Sequence, residues 1–249
     1  MATIYEKSVN ELLKDFVNNW TKNDGVFQKK DAINWFNENY PKIKASTVSA
    51  HITKLSVNNK NRAHYHAHSD GRDDILFRIN ENTFRKYNST TDSEPIYKLE
   101  SKGTKVIDND DEDEETEYDT AFAYEEDLKN YLAKNMEIIE PGLKLYEEDG
   151  INGLEYEVKG RFIDILAIDK NKNFVVIELK VSKTYDRVIG QLLRYKNWIQ
   201  KELANDGQIV RGIIIANEIS EDLMIACMGQ QNIKLFEYEL SVKLCEKDF

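Results

Sequence analysis

Phe174-Val-Val-Ile-Glu-Leu-Lys-Val181 decides the reading of the second half of this chain. Its β-branched, apolar character predicts a buried strand, yet it carries two charges, Glu178 and Lys180, two residues apart. Residues at that spacing share one face of a strand, so Glu178 and Lys180 point together while Leu179 enters the opposite layer. Just upstream, Arg161-Phe-Ile-Asp-Ile-Leu-Ala-Ile168 predicts a second strand, and Asp169-Lys-Asn-Lys-Asn173 a turn. A hairpin centred on Asn171 sets Asp164 directly across from Glu178, with Cβ atoms ~5 Å apart. Two like charges so close destabilise a sheet unless a positive group lies between them, and a divalent cation together with the Lys180 ammonium supplies that charge.

Hard Mg²⁺ takes oxygen ligands, keeps several waters and can also coordinate a phosphate oxygen. Asp164 and Glu178 are therefore candidate metal ligands, with Mn²⁺ expected to substitute, and Lys180 a candidate to orient or deprotonate an attacking water. Glu125 falls on the apolar stripe of a helix over Tyr124–Lys134, with Leu128 and Leu132, and is the candidate third ligand. Glu126, on the polar side, is the alternative within the uncertainty of helix phase. On a long helix over Tyr185–Leu203, Gln191 and Tyr195 are i, i+4 neighbours placed to hydrogen-bond the water, a phosphate or Lys180. The bland alternative is an edge strand carrying a cross-strand ion pair.

Strands Ile209–Ala216 and Ile233–Glu239, with a short helix over Glu221–Met228, complete a mixed sheet with a right-handed crossover. Gly160-Arg-Phe-Ile-Asp-Ile-Leu-Ala-Ile-Asp169, Val176-Ile-Glu-Leu-Lys180, Gln191-Leu-Leu-Arg-Tyr195 and Arg211-Gly-Ile-Ile-Ile-Ala216 resemble the PD-(D/E)XK nuclease superfamily. Within it they look most like the C-terminal catalytic domain of NucS-type endonucleases, over about Tyr124–Leu240; Glu125–Leu128 and Ile138-Ile-Glu-Pro-Gly-Leu143 match as well. The resemblance implies metal-binding and catalytic positions at Asp164, Glu178 and Lys180, and a Gln-xxx-Tyr motif of RecB-like members at Gln191 and Tyr195. It also implies a restriction-endonuclease-like α/β domain of mixed sheet flanked by helices.

The first half departs from that family, whose mismatch nucleases carry a β-rich N-terminal domain. Here Ser8–Trp20, Lys29–Tyr40 and a helix from about Ser46 precede an alternating pair, Arg62–Ala67 and Ile75–Ile79. Three helices followed by a hairpin predict a winged helix, so the whole chain reads as α+β joined to α/β. Its third helix is the expected recognition helix, offering Lys44, Ser46, Thr47, Ser49, His51 and Lys54 to DNA, with Arg62, His64 and Arg72 on or near the wing. A protein-interaction module is the alternative use of such a domain. His64, His66 and His68 alternate, and are read as a solvated or DNA-facing row rather than a zinc site.

The 249 residues carry 34 Lys+Arg against 45 Asp+Glu, a net charge of -11. Taken alone this opposes binding to phosphate. Its distribution removes the objection: residues 1–107 hold 17 basic and 13 acidic groups, Asp108–Asp119 none and nine, and residues 120–249 hold 17 and 23. Asp108–Asp119 reads as an extended spacer or, alternatively, as a phosphate mimic. Domains are expected over 1–90 and 121–249, with a linker over 91–120 and a loosely structured approach across Asn88–Lys105. Cys227 and Cys245 form neither a CxxC pair nor a disulfide framework, and no apolar run approaches the length of a membrane span; a cytoplasmic protein is the default. The sum is a Mg²⁺-dependent, restriction-like endonuclease acting on double-stranded DNA, expected to be a homodimer because cutting two strands needs two sites. A mismatch- or structure-specific repair nuclease and a DNA-binding regulator with an inactive nuclease fold are the rivals.

Overall fold

A computed structural model describes residues 5–65, 67–97, 118–180 and 186–240. The acidic segment up to Glu117, His66 and Cys245 lie outside the described residues. Two compact units are formed: residues 1–112 with 146–160, and residues 113–145 with 161–249.

In the first unit, α1 (Val9–Asn19) is started by Ser8, whose side chain accepts from the Glu11 N–H while the Glu11 carboxylate accepts from the Ser8 N–H. This capping box satisfies two otherwise orphaned donors. β1 (Phe27–Gln28), α2 (Lys29–Asn39), α3 (Ala45–Leu55), β2 (Leu76–Asn80) and β3 (Thr83–Lys86) follow. The three strands form an antiparallel sheet in the order β1-β3-β2. Apolar stripes of the helices meet over Leu12, Leu13, Phe16, Phe36, Val48, Ile52 and Leu55, with Phe27 and Phe84 capping them from the sheet. Phe16 packs edge-on to Phe27, ring centroids 5.1 Å apart, and Phe27 stacks on Phe84 at 5.9 Å.

The helix order matches the sequence reading, but the hairpin lies one segment later than expected. Arg62–Ala67 is not a strand: Lys60–Tyr65 is a 3-10 turn, opened where the Asn59 side chain accepts from the Asn61 N–H. The reason is Arg62, which is fully buried. Its guanidinium pairs with Asp74 at 2.5 Å, donates to the Lys54 carbonyl at 3.1 Å and lies over the Tyr97 ring. An outward strand position cannot satisfy those bonds. β2 and β3 form the hairpin instead. Residues 88–97 are likewise more ordered than a loose approach to a linker, because Asp92 pairs with Arg85 and the Ile96 N–H donates to the Val57 carbonyl.

The chain continues through α4 (Tyr118–Lys134), β4 (Lys144–Leu145), β5 (Glu147–Glu148), β6 (Ile151–Asn152) and β7 (Leu154–Val158). It ends in β8 (Arg161–Ile168), β9 (Phe174–Lys180), α5 (Asp186–Glu202), β10 (Val210–Ala216), α6 (Glu221–Cys227) and β11 (Ile233–Glu237). In the second unit the sheet runs β11-β10-β9-β8-β4, with β8 antiparallel to β9 and β9, β10 and β11 parallel. Strands 174–179 and 213–216 are buried throughout, as parallel strands covered on both faces must be. α5 is the connection that returns the chain from β9 to the parallel β10. It approaches β10 at Gly212, where a Cβ would stand 2.8 Å from Leu192 Cδ2, so a side chain there would have to push Leu192 and Lys196 aside. Among the described residues no helix is long and apolar enough to cross a membrane.

Candidate active site

The site begins with a turn. Asp169 accepts from the N–H groups of both Asn171 and Asn173 at 2.9 Å, and its own N–H donates to the Asn173 carbonyl. This closes the β8–β9 hairpin and sets its register: Ile165 faces Ile177, Leu166 faces Val176 and Ile168 faces Phe174. One residue further, the same register brings Asp164 opposite Glu178, as the sequence predicts. Both carboxylates are buried, Asp164 at 8% and Glu178 at 1% exposure, in a layer otherwise apolar. Asp164 Oδ2 accepts the Leu179 N–H at 2.8 Å, which fixes the carboxylate against β9. Lys180, half-buried, lies two residues beyond Glu178 on the same strand face.

Gln191 and Tyr195 sit one turn apart on α5, and Gln191 Nε2 donates to the Tyr195 hydroxyl at 3.4 Å. Burial pushes the Tyr195 phenol up, and the negative charges of Glu178 and Asp164 add to the shift. The phenol therefore lies within electrostatic reach of both carboxylates and stays protonated, a donor at neutral pH. Five of the expected residues (Asp164, Glu178, Lys180, Gln191 and Tyr195) thus belong to one face of the sheet and the helix above it.

Glu125 is half-exposed on α4, a helix packed on β8 and β9 with Leu128 and Leu132 buried. Glu126 is exposed. Among the described residues, no group of three or more His, Cys, Asp or Glu side chains comes together closely enough to hold a metal ion.

An ion network that sequence reasoning left without a role flanks the hairpin. Arg211 makes a two-pronged contact with Glu140, at 2.7 and 3.2 Å, and its Nε reaches Asp169 at 3.1 Å. Lys234 joins Glu140 at 2.7 Å. Hydrogen bonds from Arg211 hold the Glu140 carboxyl below its usual range, against the opposing effect of burial. A charged residue opening the apolar run Arg211–Ala216 was the available signal; its partners, 42 and 71 residues away, were not visible in the sequence.

The side chains expected to read DNA are largely covered. Ser46, Thr47, His51 and Lys54 are all buried, and Lys44 and Ser49 are only partly exposed. Arg62 is internal, His64 bonds Glu155 at 2.5 Å, and Arg72, exposed, pairs with Asp70. His64 and His68 do not share a strand face: His64 lies in the 3-10 turn, and His68 bonds Asp73 at 2.7 Å.

Comparison with known proteins gives two separate matches along the chain. Residues 8–86 match a domain of unknown function, DUF7669, and residues 124–243 match the Endonuclease NucS C-terminal domain. Endonuclease NucS of Pyrococcus abyssi is 33% identical over 98 residues, 39% of this chain and 35% of that protein. The Pyrococcus horikoshii protein of the same name is 32% identical over 98 residues, again 39% and 35%. The chain thus spans about a third of the length of these curated relatives. The crystal structure of a repair endonuclease from Pyrococcus abyssi aligns with a TM-score of 0.38 at 23% identity, over 66% of this chain and 61% of that one. The second half of this chain is similar to the C-terminal domain of Endonuclease NucS.

Proposed function

We propose that the protein is a metal-dependent endonuclease that hydrolyses phosphodiester bonds in double-stranded DNA. The observation that carries this reading is the pair of buried carboxylates, Asp164 and Glu178, facing each other on the strand face that also bears Lys180. Both carboxylates are buried on this face, where they form an oxygen-donor set. Two carboxylate donors suit Mg²⁺, which characteristically takes one or two carboxylates and fills its remaining positions with water and substrate phosphate; Mn²⁺ fits the same oxygens. A cation held by Asp164 and Glu178 would supply Lewis-acid stabilisation of the charge that builds on a scissile phosphate.

The chain's own residues do the rest. The Leu179 N–H holds Asp164 in one orientation. The Lys180 ammonium donates to the attacking water and orients it. Gln191 and the protonated Tyr195 hydroxyl present donors to phosphate oxygens, while α5, packed close over Gly212, keeps them at a set height above the sheet.

The matched first half, a domain unlike the nuclease part, supports selection of the cutting site by a separate module, as in a restriction-like enzyme. A second reading is a repair nuclease selecting mismatched or otherwise distorted duplexes. Cutting both strands calls for two copies of the site, so we infer a homodimer on DNA. Supercoiled plasmid with Mg²⁺ is expected to be nicked or linearised, and Lys180→Ala to prevent this while leaving the melting temperature unchanged. Equal cleavage by Lys180→Ala would sink the assignment. Matched and mismatched duplexes in the same assay separate the two readings.

A further inference from the structure

The outward face of α3 is covered by a hairpin that arrives from the far side of the acidic segment. Glu148-Asp149-Gly150-Ile151 forms a two-residue turn between β5 and β6, with Asp149 and Gly150 both at positive φ, +49° and +83°. Asp-Gly is strongly favoured at such turns because both central residues need φ above zero. The turn places its oxygens on a row of donors. Asp149 Oδ2 accepts the N–H of Val9, the first residue of α1, at 2.5 Å. Glu148 Oε2 accepts the Thr47 hydroxyl at 3.0 Å, and the Gly150 carbonyl accepts Lys54 Nζ at 3.2 Å.

Every donor in this set comes from α1 or α3, and every acceptor from the hairpin. The donors are a helix N-terminus, a hydroxyl and an ammonium, the groups with which proteins hold phosphate. A further polar group is aimed at the same carboxylate. His51 is fully buried, its Nδ1 is bonded to Asn10 Oδ1 at 2.7 Å, and its Nε2 has no hydrogen-bond partner among the described residues, 3.9 Å from Asp149 Oδ2.

We propose that Val9 N–H, Thr47, His51 and Lys54 form a binding site for the phosphate backbone of DNA, and that Glu148 and Asp149 occupy it as phosphate mimics until DNA displaces the hairpin. It rests on the reading of the chain as a DNA-acting protein, and adds a closed state to it. The acidic group assigned this task is the ordered hairpin, in addition to any role of Asp108–Asp119.

The test is duplex binding by the full chain in EDTA, where no cutting occurs, read by fluorescence anisotropy of a labelled duplex of mixed sequence. Glu148→Gln/Asp149→Asn is expected to bind about tenfold more tightly at low salt, and its log–log salt slope to steepen by about one as Lys54 becomes free to meet a phosphate. Adding Lys54→Gln should take back that gain. Equal or weaker binding by the folded double variant, or no binding by either chain, overturns the proposal. Should the double variant fail to fold, amide hydrogen exchange of the native chain decides. Saturating duplex must speed exchange across residues 147–152, and an unchanged rate there overturns the proposal. Failure of the nuclease reading shows differently, as intact binding without Mg²⁺-dependent cleavage.

Discussion

Asp164 and Glu178 stand across the β8–β9 ladder from one another, and the N–H of Leu179 is the bond that holds Asp164 there. Under the proposed function these carboxylates would hold the cation. Asp164→Asn keeps the volume and removes one charge. It is expected to lower Mg²⁺-dependent cleavage by at least about a hundredfold, while leaving thermal stability equal or higher. A stable variant that still cuts at the native rate excludes Asp164 from the site.

In the proposed mechanism Lys180 acts on the water rather than binding DNA broadly. Lys180→Ala should therefore reduce kcat by ~10²–10⁴-fold with little change in KM, measured on a short duplex under multiple turnover. A purely electrostatic role in DNA affinity would appear as the reverse split.

Gly212 holds the distance between α5 and the sheet. Gly212→Val forces branched carbons against Leu192 and Lys196 and is expected to cost about 1–3 kcal/mol by chemical denaturation. Cleavage should fall further than stability alone explains, because Gln191 and Tyr195 are lifted from the carboxylates with the helix.

Glu140 ties β10 to β11 through Arg211 and Lys234, and Arg211 in turn reaches Asp169 of the turn that sets the register. Its carboxyl is held below the ordinary value by Arg211, so its contribution to stability is complete above the unfolded-state pKa of about 4.3 and is lost as pH falls through the lower folded value. Glu140→Gln should cost on the order of 1–3 kcal/mol at pH 7 and show a shallower loss of stability in acid than the native chain. Identical acid profiles would remove Glu140 from that role.

His51 works in the opposite direction. Burial, then the charge of Lys54, lowers its pKa to about 3, so it is neutral when folded. Between roughly pH 6.5 and about 3 the unfolded chain takes up a proton that the folded chain refuses, and stability must fall as the pH is lowered through that window. His51→Gln should flatten this part of the stability profile, followed by the melting temperature from pH 7 to 4.

The chemistry of the site was legible at Phe174–Val181 because a period of two fixes which side chains share a face, and because Asp169–Asn173 is short enough for its turn to dictate register. The helices were legible from their apolar stripes, although the capping box at Ser8 and Glu11 and the Asp149-Gly150 turn, both local signals, passed unread. Arg62 misled: alternation around it resembled a strand, whereas a buried ion pair with Asp74 draws the segment into a 3-10 turn.

Sequence alone determined what depends on neighbours a few residues away: the strand faces, the helix phases, the turn and therefore the pairing of Asp164 with Glu178. Tertiary structure alone decided which surfaces are covered. α3 has the polar outer face of a helix in solvent, yet Glu148, Asp149 and Gly150, about a hundred residues later, lie on it. The same holds for Glu140 and Arg211. Hydrogen bonds and ion pairs between distant segments depend on how the chain closes its loops, and no local periodicity records that.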